Sequence, residues 1–179
     1  PVQVFKSYGT AMVQWRDIGL EFVGARKESY SKKSRNPQIT KGTLEDDQNR
    51  RDFTINTLAV SLNARDKGTL IDPFNGLEDL QNGIIRTPME PGITYSDDPL
   101  RMLRAVRFAS QLNFEIEKQS LNAIQKNAQR IEIISKERIV EELNKIILTP
   151  QPSNGFLMLE QIGLLGRILP ELTQLKGIE

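Results

Sequence analysis

Asp98 and Arg101 stand three residues apart in Asp97-Asp98-Pro99-Leu100-Arg101. On a helix, both side chains leave the same face of one turn and set an acceptor beside a fork of donors. That pair could read the edge of a base. A second arrangement is Arg50-Arg51-Asp52, where two permanently charged guanidinium groups suit phosphate oxygens and the carboxylate suits a ribose hydroxyl. A third is Glu21 in Leu20-Glu21-Phe22-Val23, whose carboxylate on a strand projects opposite Leu20 and Phe22 and either faces water or lines a site. Each has a plainer use: Asp98 as a helix cap beside a solvated arginine face, Arg50 to Asp52 as a surface ion cluster, and Glu21 as an exposed strand residue.

The elements that must position these residues follow from periodicity. Asp97 and Asp98 before Pro99 suit a helix start, because the first turn wants acceptors and proline there loses no useful donor. Leu100, Leu103 and Val106, with Ala105 and Ala109, form an apolar stripe, and Arg101, Arg104 and Arg107 form a basic ridge beside it. Phe53 and Leu58, with Ile55 and Leu62, predict a helix beginning at Arg50 with three charges at its head. Upstream, Val2–Phe5, Gly9–Trp15 and Leu20–Ala25 read as a strand meander with turns at Tyr8-Gly9 and Asp17-Ile18-Gly19, and residues 26–48 as a mobile, weakly ordered polar loop. Leu70–Phe74 and Gly83–Pro88 read as strands around a helical turn from Gly76 to Gln81. Beyond Pro91-Gly92 the pattern is helical: Glu117–Ile131, then a helix capped by Ser135, then a hydrophobic helix pair after Pro150 and Pro152.

The 179 residues carry 24 lysines and arginines against 23 acids, so bulk charge says nothing of nucleic acid and only local clusters can. A chain of this size buries roughly 70% of its unfolded surface, enough for a real core. With neither cysteine nor histidine, disulfides, thiolate sites and imidazole chemistry are excluded, and any metal must be held by oxygen. No apolar run reaches membrane-span length and the first residues lack a signal-peptide pattern, so a soluble cytoplasmic protein is expected.

Four ordered stretches carry a resemblance: Arg50-Arg51-Asp52-Phe53-Thr54-Ile55-Asn56; Asp72-Pro73 with Gly76-Leu77-Glu78-Asp79-Leu80 and Ile85-Arg86-Thr87; Asp97-Asp98-Pro99-Leu100-Arg101-Met102-Leu103-Arg104; and Ser135-Lys136-Glu137-Arg138 with Glu141-Glu142. Together they resemble the class II tRNA nucleotidyltransferase and poly(A) polymerase family, and agreement of all four is far less expected by chance than agreement of one. The resemblance implies an α+β architecture: a polymerase-β-like head of antiparallel strands and helices over 1–88, an all-helical, nucleotide-reading neck over 89–150, and the start of a helical body over 151–179. It implies that Arg51 and Asp52 bind sugar and phosphates with Arg50 and Asn56 supporting, and that Asp98, Arg101 and Arg104 take part in nucleotide binding. Asp72 to Arg86 would be a hinge, and Glu137-Arg138 with Glu141-Glu142 a brace for the neck. The third stretch usually opens Glu-Asp in the family and here opens Asp97-Asp98, one methylene shorter with the same charge.

The implied reaction adds C and A, or A alone, to tRNA or other RNA 3′ ends from CTP and ATP. Two divalent magnesium ions would be held roughly 3.5–4 Å apart by several carboxylates. The family's metal pair is an Asp-x-Asp after a Gly-Gly turn, and this sequence contains neither. Glu21 resembles the third carboxylate of that centre and is the catalytic and metal-binding candidate left. The chain is therefore expected to be an internal fragment, inactive as given yet able to bind nucleoside triphosphate weakly. The alternative is a non-catalytic RNA- or nucleotide-binding module derived from the family.

Overall fold

The computed structural model describes residues 2–5, 9–31, 34–175 and 177, and its architecture is α+β. Strands β1 (Val2–Phe5), β2 (Thr10–Trp15) and β3 (Ile18–Val23) form an antiparallel meander. Register pairs Val4 with Ala11 and Ala11 with Phe22, and Val2 with Val13 and Val13 with Leu20. One face is thus wholly apolar, while Gln3, Met12 and Glu21 lie together on the other. The hairpin between β2 and β3 turns at Arg16-Asp17, two residues earlier than the Gly19 signal suggests, with Arg16 left-handed at φ 54° as tight hairpin turns demand. Of the turn expected at Tyr8-Gly9, Tyr8 lies outside the described residues.

Residues 26–48 are not a loop. Strands β4 (Arg26–Ser31) and β5 (Ser34–Lys41) form an antiparallel hairpin, and helix α1 (Leu44–Asn49) follows; residues 32 and 33 lie outside the described residues. A two-stranded ribbon pairs the inward half of its backbone groups and leaves the outer half to water, so a polar sequence can form one where ion pairs hold it to a neighbour. Here Glu28 pairs with Arg26 at 3.0 Å and with Arg50 at 3.3 Å, and Lys27 lies 3.6 Å from Asp46 of α1. The start of α1 is a capping box: the Thr43 hydroxyl accepts from the Asp46 amide and the Asp46 carboxylate accepts from the Thr43 amide.

That early start displaces the helix expected at Arg50. Arg50 caps the end of α1, Thr54–Asn56 make one 3-10 turn, and β6 (Ala59–Val60) pairs with β7 (Leu70–Ile71). Asp52 accounts for the break, because its Oδ1 accepts from the Phe53 amide and from Asn56 Nδ2, a local bonding pattern that competes with helix. The Asp72 carboxylate then accepts from the Gly76 and Leu77 amides at the head of α2 (Gly76–Asn82). A Cβ on Gly76 would lie 2.3 Å from the Thr54 carbonyl oxygen, so only glycine lets α2 approach that turn.

Helix α3 (Pro91–Asp97) precedes α4 (Leu100–Leu112), around which the core is built. Leu103, Ala105 and Val106 are fully buried and Ala109 nearly so, as the stripe predicts, and Met102 joins them. Alongside pack α5 (Lys118–Asn127), α6 (Lys136–Ile147) and α7 (Pro152–Gln161), through Ile124, Leu143, Ile146 and Leu159; the short α8 (Leu165–Ile168) and α9 (Pro170–Gln174) close the chain. Ser135 sits at the N-cap of α6, but its side chain makes no cap bond; its carbonyl accepts from the Arg138 and Ile139 amides instead. Among the described residues the second half is helical except for β9 (Glu115–Ile116), which pairs in parallel with β8 (Ile84–Ile85). The segment expected to act as a hinge is bonded on both sides: Asp79 accepts from Thr54 Oγ1 at 2.7 Å and Arg86 Nε at 3.1 Å, and Arg86 also pairs with Glu117 at 3.3 Å. Among the described residues no helix is long and apolar enough to cross a membrane.

Candidate functional site

A cleft of about 400 Å³ opens between the end of α1, the turn after it, and the first turns of α4. Its wall contains Arg50, Arg51, Asp52, Asn56, Asp98, Arg101, Arg104 and Phe108. Chain segments some fifty positions apart thus bring together every candidate nucleotide-binding residue named from sequence. Four arginines against two aspartates leave the wall cationic, suited to an anionic ligand.

The arginines are held, not free. Arg101 is buried and donates from Nη2 to the Arg50 carbonyl at 2.7 Å. Arg104 donates from Nε to Asp52 Oδ2 at 2.8 Å, and its Nη2 lies 2.6 Å from the same oxygen as an ion pair. Arg107 lies 2.8 Å from Glu142, close in distance but not aligned as a hydrogen bond, with its guanidinium 4.0 Å from the Phe108 ring centre. The expected basic ridge is therefore largely neutralised by Asp52 and by Glu142, a buried carboxylate that also takes Lys145 at 2.9 Å and faces Arg104 at 4.0 Å. Burial pushes the Arg107 guanidinium below its ordinary range, with Glu142 opposing. Phe108 completes the wall and packs edge-on against the fully buried Phe53, ring centres 5.7 Å apart.

Helix α4 begins two residues later than predicted. Asp98 is extended, ends α3, and accepts from the Leu100 amide at 3.2 Å, while its carbonyl accepts from the Arg101 amide at 3.0 Å. Asp98 is thus a cap and a cleft residue at once, since one carboxylate oxygen suffices for the cap. Its neighbour Asp97 turns into a separate, adjoining cavity with Lys27, Glu28 and Thr94; burial pushes its carboxyl above the ordinary carboxylate range, with Arg101 and Arg130 opposing.

Glu21 does not line the cleft. It is exposed on β3 with Met12 as its cross-strand neighbour, and among the described residues no group of three Asp, Glu, His or Cys side chains could hold a metal ion. Of the expected brace, Glu142 carries the ion pairs described above, and Glu137, Arg138 and Glu141 are exposed.

Sequence reading missed Asp47. This buried carboxylate accepts from Arg50 Nε at 3.0 Å and from Arg51 Nε and Nη2 at 3.1 and 2.8 Å, with Arg50 Nη2 on the same oxygen as Arg50 Nε. The signal was present in the i, i+3 and i, i+4 spacing to the two arginines, but reading residues 26–48 as a loop removed the helix that gives that spacing meaning.

Residues 2–86 match the family model described as the poly A polymerase head domain, and residues 113–176 match the one described as the probable RNA and SrmB-binding site of polymerase A. The chain is 45% identical over 150 residues to a CCA-adding enzyme of Ligilactobacillus salivarius, covering 83% of this chain and 36% of that protein. It is 36% identical over 169 residues to an A-adding tRNA nucleotidyltransferase of Aquifex aeolicus, covering 90% of this chain and 20% of the relative. Among solved structures, a tRNA nucleotidyltransferase complexed with a primer tRNA and an incoming ATP analog superposes with a TM-score of 0.82 at 30% identity, over 94% of this chain and 47% of that one. The chain thus spans less than half the length of each of these relatives.

Proposed function

The chain belongs to the class II CCA-adding and poly(A) polymerase family, and on that footing we propose that its arginine cleft binds the incoming nucleoside triphosphate of a template-independent RNA nucleotidyltransferase. The whole protein would add C and A, or A alone, to tRNA 3′ ends from CTP and ATP, working in the cytoplasm. The observation that carries this reading is the convergence of the Arg50–Asp52 turn and the Asp98–Arg101 turn on one cationic cleft.

The division of labour follows from which atoms are already engaged. Cytosine and adenine each present an exocyclic amino group beside a ring nitrogen that accepts, whereas uracil and guanine present a carbonyl beside a ring N–H. Asp98 accepts from the amino group, and Arg101, fixed through the Arg50 carbonyl, donates to the ring nitrogen or the cytosine carbonyl. A uracil or guanine carbonyl would instead meet a carboxylate. Asp52 has both oxygens engaged by Phe53, Asn56 and Arg104, so its main work is to shape the turn, with a remaining lone pair for a ribose hydroxyl. Arg51, the most exposed of the cluster, faces the phosphates.

Magnesium enters this reading through the reaction class, where it would activate the attacking 3′-hydroxyl and steady the leaving pyrophosphate. Glu21 is the carboxylate this chain offers toward it; the described residues do not themselves build that centre. The helical segment 113–176 is the part we assign to RNA. The test is incorporation of each of the four nucleotides by the full-length protein on tRNA lacking its 3′ end. CTP and ATP should be used and UTP and GTP refused; equal use of all four, or no incorporation, would overturn the reading.

A further inference from the structure

Two arginines carried side by side in sequence repel each other and, left to solvent, would sample many rotamers. In this fold, one buried carboxylate holds both. Asp47 Oδ1 takes the Nε and Nη2 edge of Arg50, and Oδ2 takes the Nε and Nη2 edge of Arg51, so each oxygen serves one guanidinium. The consequences for the two arginines differ. Arg50 has its remaining nitrogen, Nη1, on Glu28, and its side chain is only 15% exposed, so it is enclosed by acids. Arg51 is 45% exposed, and its side-on grip by Asp47 leaves both hydrogens of Nη1 and one of Nη2 along the outer edge, the edge with which arginine engages phosphate in a bidentate fashion.

We infer that Asp47 is a positioning residue of the cleft: it locks Arg51 side-on so that the outer edge of the guanidinium faces the phosphate chain of the triphosphate. The inference rests on the nucleotide-binding reading above. The charge count agrees: Asp47 and Glu28 face Arg50, Arg51 and Arg26, the second partner of Glu28, so two acids against three arginines leave the cluster one net positive charge for an anion. Burial pushes the Asp47 carboxyl up, and the hydrogen bonds and charges of Arg50 and Arg51 outweigh it and hold it below the ordinary carboxylate range, so it is ionised wherever the protein works.

The test is calorimetric binding of inorganic tripolyphosphate, CTP and ATP to the wild-type chain and to Asp47→Asn, Arg51→Ala and the double variant. Asp47→Asn keeps the side chain's size but cannot grip two guanidiniums, and it should weaken all three ligands by a common factor of about tenfold, because Arg51 engages the phosphates and not the base. In the Arg51→Ala background the same change should cost less than about twofold, since its effect runs through Arg51. A merely structural role would instead add its cost in both backgrounds. Asp17→Asn, which removes an exposed acid at the turn between β2 and β3, serves as the control for charge loss elsewhere. Unchanged affinity in Asp47→Asn, or full additivity with Arg51→Ala, overturns the inference while leaving the functional reading intact. If Asp47→Asn does not fold, Asp47→Glu keeps the charge but moves it by a methylene, and unchanged triphosphate affinity in that variant overturns the inference as well. Failure of the wild-type chain to bind any of the three ligands overturns the nucleotide-binding reading and this inference with it.

Discussion

The β1–β3 sheet and the α4 cleft hold charged residues in opposite ways. In the sheet every residue of β3 is exposed, and among the described residues Glu21 is held by backbone pairing with β2. Around α4, Asp47, Asp52 and Glu142 are buried, and each holds an arginine. Local backbone bonds thus suffice to make a strand and set which face a side chain takes, but fixing a charged atom in space takes burial and a charged partner.

The largest expected effect that would break this contrast is at Glu142. Glu142→Ala leaves the largely buried Arg107 without its anion, and should destabilise the chain by about 3–5 kcal/mol in urea denaturation, against less than about 0.5 kcal/mol for Glu21→Ala. Equal losses would mean that the two regions are held alike. The apolar residues offer the same comparison without charge: Leu103→Ala, in the filled core, should cost about 2–5 kcal/mol, whereas Phe22→Ala, 61% exposed, should change the denaturation midpoint little. A large cost at Phe22 would show that the sheet's apolar face is covered in solution.

A functional comparison sharpens the contrast further. In the full-length protein, Asp98→Asn and Arg101→Ala should each reduce discrimination of CTP and ATP over UTP and GTP by about tenfold or more, the scale of one unpaired polar group at 1–3 kcal/mol. Unaltered incorporation ratios in both variants would reduce Asp98 to the cap it also is. The smallest effect concerns pH. Burial raises the Asp97 carboxyl above its ordinary value of 3.8, so the folded state prefers it protonated. The stability it contributes is present in acid and lost as pH rises through the raised value. Asp97→Asn should therefore raise the melting temperature at pH 7 relative to wild type, with the gain disappearing below the ordinary carboxylate range; Asp47, shifted down, should behave oppositely, its stabilisation lost on acidification. A melting-temperature difference at Asp97 that is flat from pH 3 to 7 would refute the assignment.

The sequence by itself determined what is periodic or chemically local. The apolar stripe of α4, the strand meander, the face on which Glu21 lies, the residue types of the cleft and the family they belong to were all legible, because side-chain spacing along a helix or strand is fixed by backbone geometry. Where helices begin was less so: Thr43 and Asp46 form a capping box that competes with the charged start at Arg50, and Asp52 bonds its own turn. Only the tertiary structure decided that the arginines of α4 are paired and not a solvated ridge, since their acids Asp52 and Glu142 lie 52 and 35 positions away from Arg104 and Arg107. It likewise decided that one carboxylate at Asp47 serves two arginines, and that a cap at Asp98 is also a wall of the cleft. Electrostatic pairing depends on distance in space and on burial, and neither is written in the spacing of charges along a chain.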